Sequence, residues 1–269
     1  MYAQVVGKVR LALSPREPQW AHTALYVTAR GLTTSPMPSS IGPFALDLDL
    51  IEHALFLRTS AGVVERLPLG GEVASYYSDV MRMLEIHHID VAINPMPQEV
   101  PDPIPFPDDR FHRVYVGEHA ERFFRVLSLV DMVMRRHRAR YSGRTSPVQF
   151  FWGSFDLVLV RYSGRFVAPP SVEGGARRVA EEISAGWWPG DDRVREPAFY
   201  AYGYPKPAGI EKVHVEPDGA HWSETSGEFL LPYEAVRTQD DPETAALRFL
   251  ESTYDGAATL MNFDPHMKL

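Results

Sequence analysis

ARGLTTSPMP, residues 29–38, sets a guanidinium, a glycine and three hydroxyls (Thr33, Thr34, Ser35) where a strand-like LYVT gives out. Arg30 offers a planar fork of donors, Gly31 lets a backbone approach closely, and the hydroxyls can complete a nest around a sulfate, phosphate or carboxylate. The same residue types also make turns, and Arg30 would then pair with Asp47 or Asp49 across a sheet. Both readings stay open at the level of sequence.

Two further stretches carry groups able to move a proton. In ALDLDLIEH, alternation puts Asp47 and Asp49 on one face and leucines on the other, with Glu52 and His53 at the strand end. That is either an ordinary solvated sheet face or a carboxylate tuned to act as a base. In QFFWGSFDL, Ser154 and Asp156 follow Trp152 and precede an apolar LVLV. Asp156 is either a paired structural charge or a residue facing a pocket lined by Phe150 and Trp152, with Arg161 and Arg165 as candidate partners. Candidate catalytic residues are therefore Asp47, Asp49, Asp156 and His53. Arg30, Thr33, Thr34, Ser35, Trp152, Ser154, Arg165 and Tyr200 are candidates for holding a substrate.

Other chemistries lack their commonest signatures, although spacing alone does not exclude a Ser-His-Asp triad. There is no cysteine, so disulfides, thiolate nucleophiles and Cys-ligated zinc are excluded. Ten histidines are present, but no H-E-x-x-H pattern. His112 and His119, like His214 and His221, have a spacing too unspecific to define a metal site, and none is expected. Neither G-x-x-x-x-G-K-[ST] nor G-x-G-x-x-G occurs, and G-x-S-x-G is missing; no cofactor is expected. A net charge of -8 argues against a nucleic-acid partner. RRHRAR, 135–140, is explained by its place at a helix C-terminus, where cations favour the dipole. MYAQVVGKVRLAL is too short and too charged for a signal peptide, and no apolar run could span a membrane. A cytoplasmic protein without a membrane partner is expected.

These groups have to be positioned by alternating sheet and helix. A short helix or buried segment is read over 2–13, strands over 24–31 and 44–60 with the latter folding back as a hairpin, and an amphipathic helix over about 71–86. IDVAINPMP reads as a strand ending in prolines, and Pro95 to Pro107 as an extended polyproline-like crossing. A long helix follows over about 118–140, then a strand within SPVQFFWGSFDLVLVRYSGR, a mobile Gly/Arg/Glu-rich segment over 170–182, and strands near PAFYAYGY and SGEFLLPY. A last helix starts at Asp240-Asp241-Pro242-Glu243, with acid and proline in its first turn. The expected fold class is α+β: antiparallel or mixed sheets with helices packed on them, pseudo-duplicated and unusual in topology. It forms a single domain, with two similar halves at 1–107 and 108–269 as a variant.

The blocks QVVGKVRLAL, LYVTARGLTTSPMP, INPMPQEVPDPIPF, SPVQFFWGSFDLVLVRYSGR, PAFYAY and GEFLLPYE, spread over nearly the whole chain, resemble the bacterial family of unknown function DUF5996. Relatives carry an additional N-terminal segment, and histidines where this chain has Gln149 and the run Glu17 to Trp20. The chain also resembles the larger subunit of azinomycin-type aziridine-forming enzymes. That resemblance implies cofactor-independent ring closure, in which an amine attacks a carbon bearing sulfate and sulfate leaves. Such a reaction needs alignment of the reacting groups, a carboxylate to keep the amine unprotonated, and donors for the departing oxyanion. It also implies a small partner subunit at the N-terminal edge. The alternative expectation is a non-catalytic binding protein for a small anionic or carrier-protein-linked metabolite.

Overall fold

The computed structural model describes residues 1–167, 179–192 and 194–269. In chain order its elements are α1 (Tyr2–Leu13), β1 (Tyr26–Val27), β2 (Gly31–Thr33), β3 (Phe44–Asp49), β4 (Ala54–Thr59), β5 (Val64–Pro68), α2 (Val73–Ile86), α3 (Gly117–Ala139), β6 (Gln149–Phe151), β7 (Asp156–Val167), β8 (Val179–Trp188), β9 (Ala198–Tyr204), β10 (His221–Ser223), β11 (Glu228–Pro232), α4 (Tyr233–Arg237) and α5 (Pro242–Leu260). The fold is α+β, with one antiparallel sheet in the order β1-β2-β3-β4-β5 and another in the order β10-β11-β9-β8-β7-β6. By compactness the chain divides into two units, Met1–Leu129 with Gln149–Phe155, and Val130–Val148 with Asp156–Leu269.

In the first unit, Phe44, Leu46 and Leu48 alternate with polar or less buried residues along β3 and point into the core with Leu55 and Leu57 of β4. The hairpin expected over 44–60 forms, with Asp47 opposite Phe56 and Asp49 opposite Ala54. β5, VERLP, is a largely exposed edge strand whose charges and terminal proline discourage further pairing. α1 is buried along most of its length, and Val5, Val6 and Val9 are its core residues. A side chain at Gly7 would overlap the indole of Trp152, whose Nε1 donates to the Thr23 carbonyl at 2.8 Å. Gln4 exchanges two hydrogen bonds with the backbone of Gln98, at 2.8 and 2.9 Å.

Three expectations need correction. Residues 24–31 are not one strand: the chain reverses between β1 and β2, where the Thr28 N–H donates to the Gly31 carbonyl at 2.8 Å. Close passage explains the glycine, because a Cβ on Gly31 (φ +154°) would overlap the Leu48 carbonyl. IDVAINPMP forms no strand. Ile89 caps the end of α2 through a bond to the Leu84 carbonyl, and the Asn94 side chain turns the backbone at Met96; Pro95 and Pro97 have no N–H to give a ladder. The strand expected in SPVQFFWGSFDLVLVRYSGR is two, β6 and β7. Between them Phe155, at φ +64°, donates its N–H to Phe151 and packs its ring on Phe123 and Phe150. Of the segment expected to be mobile, 170–178 lie outside the described residues and 179–182 open β8.

In the second unit, β7 and β8 form a long hairpin with a bulge between Tyr162 and Phe166. Register and alternation sort its strands into two faces. Leu157, Leu159, Trp187, Phe199, Ala201, Phe229 and Leu231 share the face against which α5 packs, with Phe199 and Phe249 rings 6.5 Å apart. α5 begins as expected: Asp241 caps it by accepting the Thr244 N–H at 3.0 Å, and Pro242 occupies the first turn.

Candidate functional site

The opposite face of this second sheet carries the polar residues. On β7 it presents Asp156, Val158, Val160 and Tyr162; on β8 Glu182, Ser184, Gly186 and Trp188; on β9 Tyr200, Tyr202 and Tyr204; on β11 Glu228 and Leu230. Tyr200 stands opposite Gly186, and a Cβ there would overlap the phenol ring and hydroxyl. With no side chain in the way, Tyr200 crosses β8 and donates its hydroxyl to Asp156 Oδ2. Both residues are buried. Burial, reinforced by the Asp156 charge and hydrogen bond, holds the Tyr200 phenol protonated well above its ordinary range. Trp188 meets Tyr200 edge-on at 5.4 Å between centroids, and Tyr202 stacks beside it at 6.4 Å.

Glu182 lies further along the same face, opposite Tyr162 and Tyr204. Its Oε2 is buried and has no hydrogen-bond partner among the described residues. Burial pushes its carboxyl up to about 7, with the Arg144 charge pulling the other way. Ser184, fully buried, stands opposite Tyr202. Tyr202 is itself raised, first by burial, then further by the charges of Glu182, Asp156 and Glu228. At the Trp188 end a cavity of about 340 Å³ is lined by Trp188, Glu228, Leu230 and His221, with Asp191 and Arg195 from the β8–β9 connection. The face thus combines an acidic surplus with aromatic walls, and one of its carboxyls takes up or releases a proton near neutrality.

The other sequence-derived candidates are distributed as follows. Arg30 has its guanidinium on Asp49 and, at 2.8 Å, on Glu52; the second Asp49 oxygen accepts the N–H groups of Ile51 and Glu52. Asp47 pairs with Arg58 at 3.1 Å. The Thr33 hydroxyl accepts the Ser35 N–H, and the Thr34 hydroxyl spans Leu46 N and Ser35 O, so this run is a hydrogen-bonded turn with Ser35 at φ +57°. Arg165 reaches Glu181 at 2.5 Å and the carbonyls of Met261 and Asn262. Trp152 is packed into the first unit's core, and Ser154 lies in the turn between β6 and β7. His53 bonds through Nδ1 to the Tyr115 hydroxyl at 2.9 Å.

Asp156 and Tyr200 are therefore brought together. Glu182, Ser184, Gly186 and Trp188 were missed by reasoning from sequence, although the alternation in EEISAGWW, counted from Glu182, places all four on one face. Among the described residues, no group of three or more His, Asp or Glu could hold a metal ion, and no helix is long and apolar enough to cross a membrane.

Sequence comparison adds the family. The model of a family of unknown function, DUF5996, matches residues 1–268. The chain belongs to DUF5996. No curated protein and no solved structure matches it.

Proposed function

We propose that this DUF5996 protein binds a small organic molecule on the acidic, tyrosine-rich face of its second sheet, with Glu182 giving up a proton as the ligand binds. The observation that carries the reading is the buried, unpartnered oxygen of Glu182 on a face shared with Asp156 and Glu228. A buried carboxylate is costly unless something pairs with it, so the face favours a ligand that brings hydrogen-bond donors or positive charge. This departs from the anionic ligand expected from ARGLTTS, whose arginine is engaged by two carboxylates. An ammonium ion seated beside Glu182 lowers its pKa, and near pH 7 binding then releases a proton.

Calorimetric titration with ethanolamine and, separately, sulfate, in two buffers of different ionisation enthalpy, tests this on the wild type and on Glu182→Gln. Saturable amine binding with proton release in the wild type alone supports the proposal. Equal sulfate binding by both proteins, with no heat from the amine, sinks it.

Aziridine closure is the second reading, favoured by the same carboxyl. An amine nitrogen forms a bond to the carbon bearing sulfate, the carbon–oxygen bond breaks with sulfate leaving, and Glu182 or Asp156 accepts the amine proton. Sulfate release from a 2-aminoalkyl sulfate, retained in Arg30→Ala and lost in Glu182→Gln, would support it; no release by the wild type would remove it.

A further inference from the structure

The first unit holds an apolar cavity that the proposed function does not use. Its volume is about 460 Å³, within the range of small-molecule sites, and Leu32, Leu48, Leu69, Phe123 and Phe155 form most of its wall. Tyr115 is among the polar groups of that wall, with Met1, Tyr2 and His119. Its hydroxyl is 2.9 Å from His53 Nδ1, and His53 Nε2 lies 3.4 Å from Glu121 Oε1, giving a carboxylate, imidazole and phenol in series. The arrangement is built into the backbone. His53 is turned at φ +50° in the β3–β4 hairpin, and α3 starts on Gly117, where a Cβ would come within 2.8 Å of Nε2. Tyr115 is also packed against the Tyr2 ring at 5.8 Å, and burial raises its phenol to about 12, so the hydroxyl keeps its proton.

The order of the series fixes what Tyr115 can offer. Glu121 favours the proton on Nε2, which leaves Nδ1 to accept the Tyr115 O–H. The free lone pairs of the phenol oxygen then accept. We infer that the cavity is a second small-molecule site, taking a compact neutral molecule whose apolar body fills the wall and whose single hydroxyl donates to Tyr115. A phenol or a short alcohol has that chemistry. At Tyr115 itself a carboxylate would set acceptor against acceptor.

The probes are 4-ethylphenol and ethylbenzene, compared by ligand-observed NMR competition on the intact protein. The variants are Tyr115→Phe, which removes the acceptor, and Val116→Trp, which fills the mouth from a position already 40% exposed. Wild type should bind 4-ethylphenol more tightly than ethylbenzene. Tyr115→Phe should weaken the phenol about five- to tenfold, the size of one buried hydrogen bond, and leave ethylbenzene unchanged. Val116→Trp should displace both. No phenol binding by the wild type, or phenol binding indifferent to both substitutions, overturns the assignment.

Discussion

The two sheets handle charge in opposite ways. In the five-stranded sheet the carboxylates are closed off: Asp49 by Arg30 and two backbone N–H groups, Asp47 by Arg58. The arginines of these pairs are about half exposed, with side-chain exposures of 51% and 49%. In the second unit's sheet a strand arginine is itself buried. Arg161, 1% exposed, lies under the rings of Tyr254 and Tyr141 at 4.3 and 5.2 Å, donates to the His137 carbonyl, and is 3.7 Å from Glu251. On the other face of the same sheet Glu182 keeps an unsatisfied oxygen. Closed pairs whose arginine stays in solvent staple strands at small net gain, whereas buried and incompletely satisfied charge is costly and marks where a protein does something besides fold.

The contrast is broken most directly at Arg161. Arg161→Met leaves Glu251 beside His137 without its buried counter-charge and should cost about 3–5 kcal/mol in urea denaturation; an unchanged midpoint would show that the second unit's buried charge is as dispensable as a surface pair. Next in size is Gly186→Ala. The added methyl overlaps Tyr200 and the Leu157 carbonyl. It should cost about 1–3 kcal/mol, as overpacked interiors do, and the near-ultraviolet tyrosine dichroism should change as Tyr200 leaves Asp156.

Glu182 supplies a smaller effect with a definite sign. Its pKa is raised on folding, to about 7 from an ordinary 4.5, so the folded chain binds the proton more tightly. The contribution is present in full below pH 4.5 and is lost as pH rises through 7. Relative to Glu182→Gln, wild-type stability should therefore fall between pH 4.5 and 7 and stay level above; parallel curves would assign the carboxyl an ordinary, solvated pKa. The smallest effect belongs to Arg30→Lys. It keeps the charge but loses the fork, while Asp49 retains both backbone donors. A midpoint shift as large as that of Gly186→Ala would erase the distinction between the sheets.

Much of the fold was legible because its periodicities are strong. α1, α2, α3 and the 44–60 hairpin appear within a residue or two of where apolar spacing puts them. Residues 24–31 misled because a β-branched, aromatic run reads as one strand until Gly31 and the Leu48 carbonyl are seen to need each other's space. The site was half legible. Asp156 stood out as an acid opening an apolar strand. Glu182 did not, because Glu181-Glu182 follows a stretch of glycine and arginine and looks like more of the same solvated chain. Pattern alone gives no sign that this carboxylate is buried. ARGLTTS misled in the reverse sense: residues fit for holding an anion were read locally, and their partners Asp49 and Glu52 come from across the β2–β3 pairing.

The composition of the first unit bears on how the chain is made. Gln149–Phe155 belongs to it, and Trp152 fills the notch at Gly7 while Phe150 bridges to Leu25. A ribosome producing the chain from its N-terminus presents α1 and the first sheet long before it presents the indole that seats them. Until Phe155 emerges, the nascent chain must carry its helix α1 with an open apolar seam. Early synthesis is thus the interval in which it most needs protection from other chains.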